Sequence, residues 1–409
     1  MQGNCFSSRA LNNKVLLVCY HFPPNTGIGG RKWSFLSKYL LKNNVDVHVL
    51  TKQPRSKKAS LWQEMTQGVN LHFFKSNYPR VLEEYPKNLF EKFSYKFYLF
   101  LLKVFSKSNY HDRGVLLQKR LSHHITEIVE RNNISNVIIT GAPFSFLYYG
   151  SLIKSKNTKI HYIADIRDSW IKGNYFGFDG LHERIKEEER RRLRHVLTAA
   201  DHVFVPYPIM VSEYAAMVEN KHIGLLPHAV DLEYVKPRSA NIDGICTLVN
   251  FGSQYAELDE IMKLIASKIS ECSFHIKFYT EDRKYENNFS HVSDVIQILQ
   301  PIRYHEMFEM LSKADASILF VNKHIKDFLS TKYIECFAAK IPIVLIGEKG
   351  YVSDFIVSNR LGIFIEKNEV EDELLHISEK LKELDYNDKF DVTPFTFERQ
   401  ADEMIALLK

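Results

Sequence analysis

Residues 14–33 read KVLLVCYHFPPNTGIGGRKW. They begin with a nearly continuous apolar run over 14–20, which is typical of a strand buried on both faces of a parallel sheet. A turn containing glycines follows, and residues 34–41 then have the pattern of a helix. A strand, a turn and a helix in this order form the repeating unit of an α/β fold.

The same unit recurs along the chain. Short apolar runs, each followed by a helix-like stretch, predict strands at residues 14–20, 45–51, 71–75, 137–141, 160–165 and 202–206 and, in the second half, at 247–252, 274–279, 295–299, 316–320, 343–347 and 362–366. This alternation predicts two doubly wound α/β domains, with ligands bound beyond the carboxyl ends of the strands.

An irregular connection between residues 206 and 247 predicts the domain boundary. We expect a first domain over 1–236 and a second over 237–394, because Lys236-Pro237 closes this connection. Residues 395–409 carry apolar side chains at helical spacing and follow the last strand. From spacing alone, this last helix is able to close either domain.

Composition indicates a globular chain with room for two cores. The 409 residues are 45% hydrophobic and 25% charged, which is too polar for a membrane channel. Residues 1–13 lack the features of a signal peptide, so we expect a cytoplasmic protein. The cysteines predict neither a C-x-x-C metal site nor a disulfide framework, and we expect buried thiols at Cys5, Cys19, Cys246, Cys272 and Cys336.

Charge is distributed unevenly between the halves. Residues 1–200 carry 32 Lys and Arg against 15 Asp and Glu, a net charge of +17, whereas residues 201–409 carry 22 against 34, a net charge of −12. The first half is expected to be drawn to anionic surfaces. Electrostatic pairing between the halves is the alternative.

The glycine turn after the first strand is a candidate ligand site. Gly29 and Gly30 allow the backbone to approach a ligand closely, and the N-terminus of the following helix adds a positive field suited to an anion such as phosphate. Arg31 and Lys32 reinforce that field. The spacing differs from the dinucleotide fingerprint G-x-G-x-x-G, so an NAD site is disfavoured. Tight packing is the alternative role of these glycines.

A charged cluster, ADIRDSW at 164–170, ends the fifth predicted strand. That edge of an open α/β sheet is where ligand groups bind. Asp165 or Asp168 is expected to accept hydrogen bonds from sugar hydroxyls. Arg167 is expected to contact a phosphate or to hold the two carboxylates, and the alternative is an internal salt bridge that only shapes the loop.

A second candidate site lies in residues 327–339, DFLSTKYIECFAA. We expect a helix with Ser330 or Thr331 at its N-cap, ending near Lys340 because Pro342 follows. Lys332 then lies in the first turn, where a cation opposes the helix dipole at a cost of ~0.3 to 1 kcal/mol unless an anion such as a diphosphate is bound.

Two further positions complete this second candidate site. Glu335, one turn along the same helix, is expected to accept hydrogen bonds from a ribose or a sugar, and an exposed helix carboxylate is the alternative. Gly252-Ser253, at the end of the first strand of the second half, allows the backbone to approach a phosphate closely, with a tight turn as the alternative.

These motifs resemble those of the retaining GT-B glycosyltransferases of family 4, in the bacterial surface-polysaccharide branch. Residues 20–24 with 29–31 resemble the first loop of that family, and 165–170 resemble its D-x-R-D-P-W segment. Residues 227–231, PHAVD, resemble the N/H-G-V-D linker, and 330–339 resemble the S-x-K-x-x-E-Y-x-A donor motif.

The resemblance implies two Rossmann-like domains facing a cleft, with residues 395–409 crossing back to pack on the first domain. It implies an enzyme of the hexosyltransferase type that moves a sugar from a nucleotide-diphosphate sugar to a lipid-linked oligosaccharide in O-antigen or capsule synthesis. The implied catalytic residues are Asp165, Asp168, Asp327 and Glu335, and the implied donor contacts are Gly29, Gly30, Arg31, Gly252, Ser253, Lys332 and Glu335. Arg167 and Trp170 are expected to shape the cleft.

The sequence departs from the family pattern at three places. Asp327 stands where the family has Glu, and Gln254-Tyr255-Ala256-Glu257 stand where it often has Arg and Lys, so Lys332 is expected to carry more of the charge on the diphosphate. Residues 141–144, GAPF, lack the histidine found in many members. A sugar-nucleotide epimerase or hydrolase, or a non-catalytic nucleotide-sugar-binding subunit, is the alternative function.

No metal or other cofactor is expected, because no D-x-D pair ends a strand and no histidine spacing fits zinc. Basic side chains and helix N-termini would stabilise the leaving diphosphate instead.

Residues 78–113 interleave cations with large aromatics. On a helix, this pattern suits the interface of an anionic membrane and predicts a protein peripheral to the inner face of the cytoplasmic membrane. The alternative is that Phe93, Phe97, Phe100 and Leu101 pack against the sheet. No nucleic-acid recognition motif is present, and the run Glu187–Arg192 is expected to be an exposed, ion-paired helix without a function.

Overall fold

The computed structural model describes residues 13–25, 28–54, 60, 62–83, 86–173, 176–219, 221–239, 245–252, 259–272, 274–281, 286, 289 and 294–409. Its contacts divide the chain into two compact units. The first comprises residues up to Pro227 together with Gln400–Lys409, and the second comprises His228–Arg399. This division falls earlier in the chain than residue 236, where the sequence analysis placed it.

The first unit is built on a parallel sheet. In chain order its strands are β1 Lys14–Val18, β2 Asp46–Lys52, β3 Asn70–Phe74, β4 Asn136–Gly141, β5 His161–Ile166, β6 His202–Val205 and β7 Ile223–Leu225. They lie in the order β3-β2-β1-β4-β5-β6-β7. The helices are α1 Arg31–Lys42, α2 Leu89–Phe105, α3 Gln118–Asn132, α4 Phe144–Lys156, α5 Glu183–Ala199 and α6 Pro208–Ala215.

The second unit repeats this plan. Its strands are β8 Cys246–Phe251, β9 Phe274–Tyr279, β10 Ile296–Leu299, β11 Ala316–Val321, β12 Ile343–Gly347 and β13 Gly362–Glu366, in the order β10-β9-β8-β11-β12-β13. Its helices are α7 Asp259–Lys268, α8 Tyr304–Lys313, α9 Thr331–Ala339, α10 Tyr351–Ser358, α11 Val370–Glu373 and α12 Ile377–Glu383. Neighbouring strands pair in parallel.

The predicted α/β class with two doubly wound halves is confirmed, because each predicted strand overlaps a strand of the structure. The apolar runs predicted the strands correctly because side chains on both faces of the central strands are buried. Leu16 in β1, Ile163 in β5 and Ile318 in β11 are all completely buried. The sequence analysis missed β7, since its three residues, Ile-Gly-Leu, are too few to form a recognisable run.

Each sheet reverses its strand order once. The reversal lies between β1 and β4 in the first unit and between β8 and β11 in the second. At such a point the connections leave the two strands in opposite directions, which opens a crevice beyond their carboxyl ends. Ligand groups are therefore expected after β1 and β4, and after β8 and β11.

The last helix, α13 Phe397–Leu407, begins in the second unit, and its later residues belong to the first. Within the first unit, Gln400 Nε2 donates to the Pro227 carbonyl at 2.9 Å, and the backbone N–H of Lys409 donates to Asn136 Oδ1 at 2.9 Å. The Asn136 amide, at the start of β4, thus holds the chain after α13.

Helix α2 is the exposed aromatic element of the first unit. It packs inward through Leu99 and Leu102 against a small cluster that includes Phe178. The alternative that its phenylalanines pack against the sheet is wrong. Large apolar side chains are instead exposed at Phe90 (78%), Phe93 (71%), Phe97 (49%), Phe100 (61%) and Val104 (57%).

These exposed side chains form one stripe, because positions 93, 97, 100 and 104 follow helical spacing. Lys92, Lys96 and Lys103 repeat at the same spacing along its edge and are exposed. We call this surface the α2 face. No helix in the part of the chain that the structure describes is long and apolar enough to cross a membrane.

Two smaller predictions have mixed outcomes. Helix α5 carries the expected ion pairs, for example Arg191 with Glu188 at 2.8 Å, but its Glu189 is only 3% exposed and belongs to the interior. Cys19 and Cys336 are buried thiols as expected, whereas Cys246 and Cys272 are partly exposed, and Cys5 lies outside the described residues.

Candidate functional site

The second unit brings Gly252 and Lys332 together at the reversal between β8 and β11. Gly252 follows β8 with φ +93°, a conformation that glycine adopts most readily. A Cβ added at Gly252 would lie 3.3 Å from Lys332 Cε and 3.4 Å from Lys332 Nζ. The missing side chain therefore makes room for the lysine, which places its ammonium group beyond the end of β8.

Lys332 lies in the first turn of α9, as predicted from the Ser330 N-cap and from Pro342. The Ser330 side chain makes no capping hydrogen bond, so it leaves the first N–H groups of α9 to other acceptors. Burial lowers the pKa of the Lys332 ammonium, and the neighbouring Glu335 carboxylate opposes that shift. A bound anion would restore the charged form, as would be expected at a helix N-terminus that holds phosphate.

Glu335 is 5% exposed. The alternative of an exposed helix carboxylate is therefore wrong. Its neighbours Ile334 and Phe337 are part of the core, and Cys336 is buried beside them. A carboxylate held inside an apolar cluster requires polar or cationic partners, and Lys332 is close enough to act on it electrostatically.

Asp327 and Ser253 complete the predicted donor positions. Asp327 Oδ1 accepts a hydrogen bond from the Tyr351 backbone N–H at 3.1 Å and so stabilises the N-terminus of α10. The sequence analysis did not anticipate this role. Ser253 lies outside the described residues, as do Gln254, Tyr255, Ala256 and Glu257.

In the first unit, Asp165 forms a buried ion pair. Its two oxygens accept hydrogen bonds from Lys32 Nζ at 2.9 Å and from Trp33 Nε1 at 2.8 Å. The carboxyl is 1% exposed, and although burial opposes its ionisation, the Lys32 ammonium keeps its pKa below the ordinary value. This arrangement fastens α1 to β5 and gives each Asp165 oxygen a partner within the protein.

The glycine turn also differs from the prediction. Helix α1 begins at Arg31, and Lys32 is neutralised by Asp165, so it does not reinforce a field for a bound anion. Arg31 is 5% exposed and lies with its guanidinium 5.5 Å from the centroid of the Trp62 ring. A Cβ at Gly30 would lie 3.2 Å from Phe22 Cα, which supports the tight-packing alternative.

Arg167 connects the end of β5 to the same turn. Its Nη1 donates to the Gly29 carbonyl at 2.5 Å, and its charge acts to lower the pKa of both Asp165 and Asp168, although it forms no ion pair with either of them. Asp168 is partly exposed, and burial raises the pKa of its carboxyl, while Arg167 opposes the rise. Asp168 is thus the aspartate of this cluster that remains accessible to a ligand.

Trp170 is a core residue. It is 1% exposed and stacks on Phe144 with ring centroids 5.1 Å apart. Its Nε1 donates to Glu189 Oε2 at 2.7 Å, and this contact explains why Glu189 is buried. Trp170 thus links the end of β5 to α4 and α5, and its predicted part in shaping a cleft stays a prediction.

Sequence reasoning missed one cluster at the reversal between β1 and β4. His21, in the turn that follows β1, lies with Nε2 at 3.3 Å from Arg113 Nη1. Close by, Lys52 at the end of β2 pairs with Glu83 at 3.0 Å. His21 lies within residues 14–33, the stretch from which the fold was predicted, and its position after a buried strand could have marked it as a candidate site residue. Arg113 was grouped with the α2 aromatics, but it lies after that helix and faces His21 instead.

No protein-family model matches the chain, and no curated protein matches it. The fold is that of the GT-B glycosyltransferases, two parallel-sheet Rossmann-like domains in one chain. Similar solved structures share it at low sequence identity. A glycosyltransferase from Rickettsia africae is 14% identical with a TM-score of 0.59, covering 97% of this chain and 93% of its own.

Two further structures extend the similarity. The lipopolysaccharide outer core galactosyltransferase WaaB, in its apo form, is 11% identical with a TM-score of 0.56, covering 96% of this chain and 99% of its own. Anabaena HepE in complex with UDP is 9% identical with a TM-score of 0.59, covering 97% and 95%. HepE has also been solved with UDP-glucose.

Proposed function

We propose that this protein is a metal-independent, retaining glycosyltransferase. It transfers a hexosyl group from a nucleotide-diphosphate sugar to a lipid-linked glycan during synthesis of a bacterial surface polysaccharide such as O-antigen or capsule. The observation that carries the proposal is the approach of Lys332 to Gly252 at the strand reversal of the second unit. The GT-B fold, shared with structures that hold UDP and UDP-glucose, supports it.

The donor diphosphate would bind at this reversal. Lys332 would supply a positive charge, and the first turn of α9 would supply backbone N–H groups that the Ser330 side chain does not cap. The absence of a side chain at Gly252 would let the phosphates come close to the strand end. Glu335 would accept hydrogen bonds from the ribose or from the sugar.

The reaction would exchange one bond at the anomeric carbon for another. The bond to the diphosphate oxygen breaks, a bond to the acceptor hydroxyl oxygen forms on the same face, and the hydroxyl proton passes to the leaving diphosphate. Fixed positive groups stabilise the charge that builds on the diphosphate, so Lys332 contributes most in the transition state. No protein nucleophile is part of the proposal.

The accessible carboxylate of Asp168 would orient acceptor hydroxyls at the first unit. Because burial raises the pKa of Asp168, this group exchanges a proton closer to neutrality than an exposed aspartate does. Asp165 is left out of the chemistry, since Lys32 and Trp33 occupy its oxygens.

The α2 face supports a lipid-linked acceptor. Exposed rings at Phe93, Phe97 and Phe100 fit the headgroup region of a bilayer, and a row of lysines beside them fits anionic lipid phosphates. The protein would then work on the inner face of the cytoplasmic membrane as a peripheral protein. The positive charge of the first half of the chain adds to this attraction.

Donor binding tests the proposal most directly. The full chain is screened by calorimetry against UDP-, GDP- and dTDP-sugars, and nucleotide release is measured with and without a lipid extract containing glycan acceptors. We expect one donor to bind and to turn over with the extract, without added metal and in the presence of EDTA. Lys332→Ala and Glu335→Gln should each lower donor affinity at least about tenfold, because each removes a charged contact of the bound donor.

Lys349→Ala is the matched control, since Lys349 is an exposed lysine of the same unit. Tight donor binding without turnover under any condition would support the binding-subunit alternative and overturn the transferase. Nucleotide release that does not require the acceptor would indicate a hydrolase. Unchanged affinity in both site variants would mean that the donor binds elsewhere.

A further inference from the structure

The cluster at the reversal between β1 and β4 has an excess of positive charge. His21 lies in the turn after β1, and its Nε2 accepts a hydrogen bond from Arg113 Nη1 at 3.3 Å. Both side chains are partly exposed. On the other side, a Cβ added at Gly29 would lie 3.5 Å from His21 Cδ2, and the Gly29 carbonyl accepts a hydrogen bond from Arg167 Nη1. Two guanidinium groups thus border one histidine at the edge where an α/β sheet binds ligands.

Two of the nearby acids are paired with lysines, and the third, Asp168, acts electrostatically on Arg167 although burial raises the pKa of its carboxyl. Glu83 forms an ion pair with Lys52, with Nζ and Oε2 3.0 Å apart. Asp165 forms an ion pair with Lys32. Among the described residues, neither Arg113 nor Arg167 forms an ion pair; their hydrogen-bond acceptors are an imidazole nitrogen and a backbone carbonyl.

The surrounding positive charges affect the protonation of His21. Burial, together with the nearby charges of Lys52, Arg113 and Arg167, lowers the pKa of His21 to about 4 against the opposing effect of Glu83. At neutral pH the imidazole is therefore uncharged, and its Nε2 is the acceptor for Arg113. An anion placed among these groups would find charged donors, whereas a cation would be repelled.

We infer that the cluster of His21, Arg113 and Arg167 binds a phosphate group carried by the acceptor. The inference rests on the proposed function, since it assigns the acceptor substrate to an anionic, phosphate-bearing class. Guanidinium groups bind phosphate oxygens in pairs of parallel hydrogen bonds, and two of them at a partly buried site give both affinity and orientation. The phosphate would hold the acceptor at the edge where Asp168 also lies.

Two sources supply the same chemistry: the diphosphate of a lipid carrier and the phosphate of a soluble acceptor. The probes are inorganic pyrophosphate, farnesyl diphosphate as a short lipid diphosphate, and farnesol as the same lipid without phosphate. All are measured on the full chain carrying Lys332→Ala, which weakens the donor site for phosphates. Tighter binding of farnesyl diphosphate than of pyrophosphate indicates a lipid carrier, and equal binding indicates that the phosphate alone is recognised.

The first readout is the His21 resonance in the histidine-labelled protein, assigned with His21→Gln. A bound phosphate should raise the pKa of His21 by about one unit or more, because an opposite charge within a few ångströms favours the protonated ring. The second readout is affinity. Arg113→Gln should lower the affinity for pyrophosphate at least about tenfold, and Arg120→Gln, an exposed arginine of α3, should leave it unchanged.

Three results would overturn the inference: a His21 resonance that does not respond to either phosphate probe, an equal loss of affinity in Arg113→Gln and Arg120→Gln, or binding of farnesol as tight as that of farnesyl diphosphate. Failure of the proposed function is seen separately. If the unmodified chain binds no nucleotide sugar, the transferase is wrong, while the phosphate titration at His21 still reports on this cluster.

Discussion

Asp165 and Asp168 occupy one short segment, yet their surroundings give them opposite properties. Asp165 is fully enclosed and paired with Lys32, so its ionised form is favoured. Asp168 is partly exposed, and burial without an ion pair disfavours its ionised form. Two identical side chains in one motif thus divide into a structural group and a candidate acceptor contact.

The two aspartates should respond differently to substitution. Asp165→Asn leaves Lys32 buried without its counter-charge and should lower the free energy of unfolding by about 3 to 5 kcal/mol at pH 7. Asp168→Asn should leave stability unchanged or slightly raise it, because its ionised form is disfavoured in the folded state, and it should lower transfer activity. Urea denaturation of both variants measures the difference.

The pH dependence of Asp165 has a definite sign. Its pKa in the folded protein lies below the ordinary value of 3.8, so the stabilisation is present above about pH 4 and is lost as the pH falls through the lowered pKa. Asp165→Asn should therefore flatten the acid limb of the stability profile. A variant as stable as the unmodified chain at pH 7 would contradict the importance of this ion pair.

Gly252 provides a second test at the residue scale. Gly252→Ala places a Cβ 3.3 Å from Lys332 Cε and strains a residue with φ +93°, so we expect a loss of about 1 kcal/mol in stability together with weaker donor binding. Gly173→Ala is the control, since Gly173 has φ +83° with no atom within 4 Å of an added Cβ.

Both glycine variants should lose stability by similar amounts, since the backbone strain is similar. Only Gly252→Ala should lose affinity for the nucleotide sugar, because only there does the new methyl group displace Lys332. Calorimetric titration and thermal denaturation of the two variants separate the effects. Equal donor affinities would show that Lys332 does not need the space at Gly252.

At the scale of elements, α2 differs from the other helices of the first unit. Its inward contacts are few, through Leu99 and Leu102, whereas its outer stripe exposes large aromatic rings. A surface of this kind is unfavourable in water unless something covers it. Under the proposed function, an anionic bilayer would cover it, with the flanking lysines against the lipid phosphates.

Vesicle binding should follow the composition of the α2 face. Replacing Lys92, Lys96 and Lys103 with Gln should reduce co-sedimentation with phosphatidylglycerol vesicles by about tenfold or more, since each lysine near an anionic surface contributes about 1 kcal/mol. The same replacement at Lys349, Lys382 and Lys389, exposed lysines of the second unit, should have little effect.

Phe93→Ser with Phe97→Ser should weaken binding to both anionic and neutral vesicles, because the rings contribute through apolar area rather than charge. Equal losses for the two sets of lysine variants would mean that attraction depends only on net charge. Binding unaffected by the phenylalanine changes would mean that the α2 face does not enter the bilayer.

At the scale of the whole molecule, two units with similar sheets carry different charges and different candidate groups. The second unit has the lysine and the helix N-terminus suited to a diphosphate. The first unit has Asp168, the His21 cluster and the α2 face. In the proposed function, the second unit would thus bind the donor and the first unit would bind the acceptor.

Hydrogen exchange should reveal that division. Adding the preferred nucleotide sugar should slow amide exchange in β8 and in α9, because the ligand adds hydrogen bonds and stability where it binds. Exchange in α2 should change little. Adding vesicles should instead slow amide exchange in α2 and change it little in β8 and α9. Nucleotide protection confined to the first unit would place the donor there and contradict the assignment to Lys332.

Much of the fold could be predicted because buried parallel strands leave a local pattern. The runs that became β1, β5 and β11 are predominantly apolar, and a connecting loop leads from each of them to a helix, α1, α5 and α9 respectively. The position of α9 was equally local, since Ser330 and Pro342 mark where a helix begins and ends. The short edge strand β7 left no such pattern.

The partners of charged side chains were not predictable in the same way. Arg167 stands beside Asp165 in the chain, but Lys32, more distant in sequence, forms its ion pair because α1 packs against the end of β5. Likewise, Glu335 has the sequence neighbours of an ordinary helix, and only the packing of α9 on the sheet makes it a buried carboxylate.

By itself, the sequence determined the α/β class, the two repeated halves and the positions of the strand ends, because these depend on hydrophobic patterns and turn residues that act over short distances. The tertiary structure decided which groups at those ends are neutralised and which stay accessible. It paired Lys32 with Asp165, brought Lys332 to Gly252, placed Arg113 on His21 and turned the α2 phenylalanines outward. Those outcomes depend on contacts between segments far apart in the chain, for which a single sequence carries no local signal.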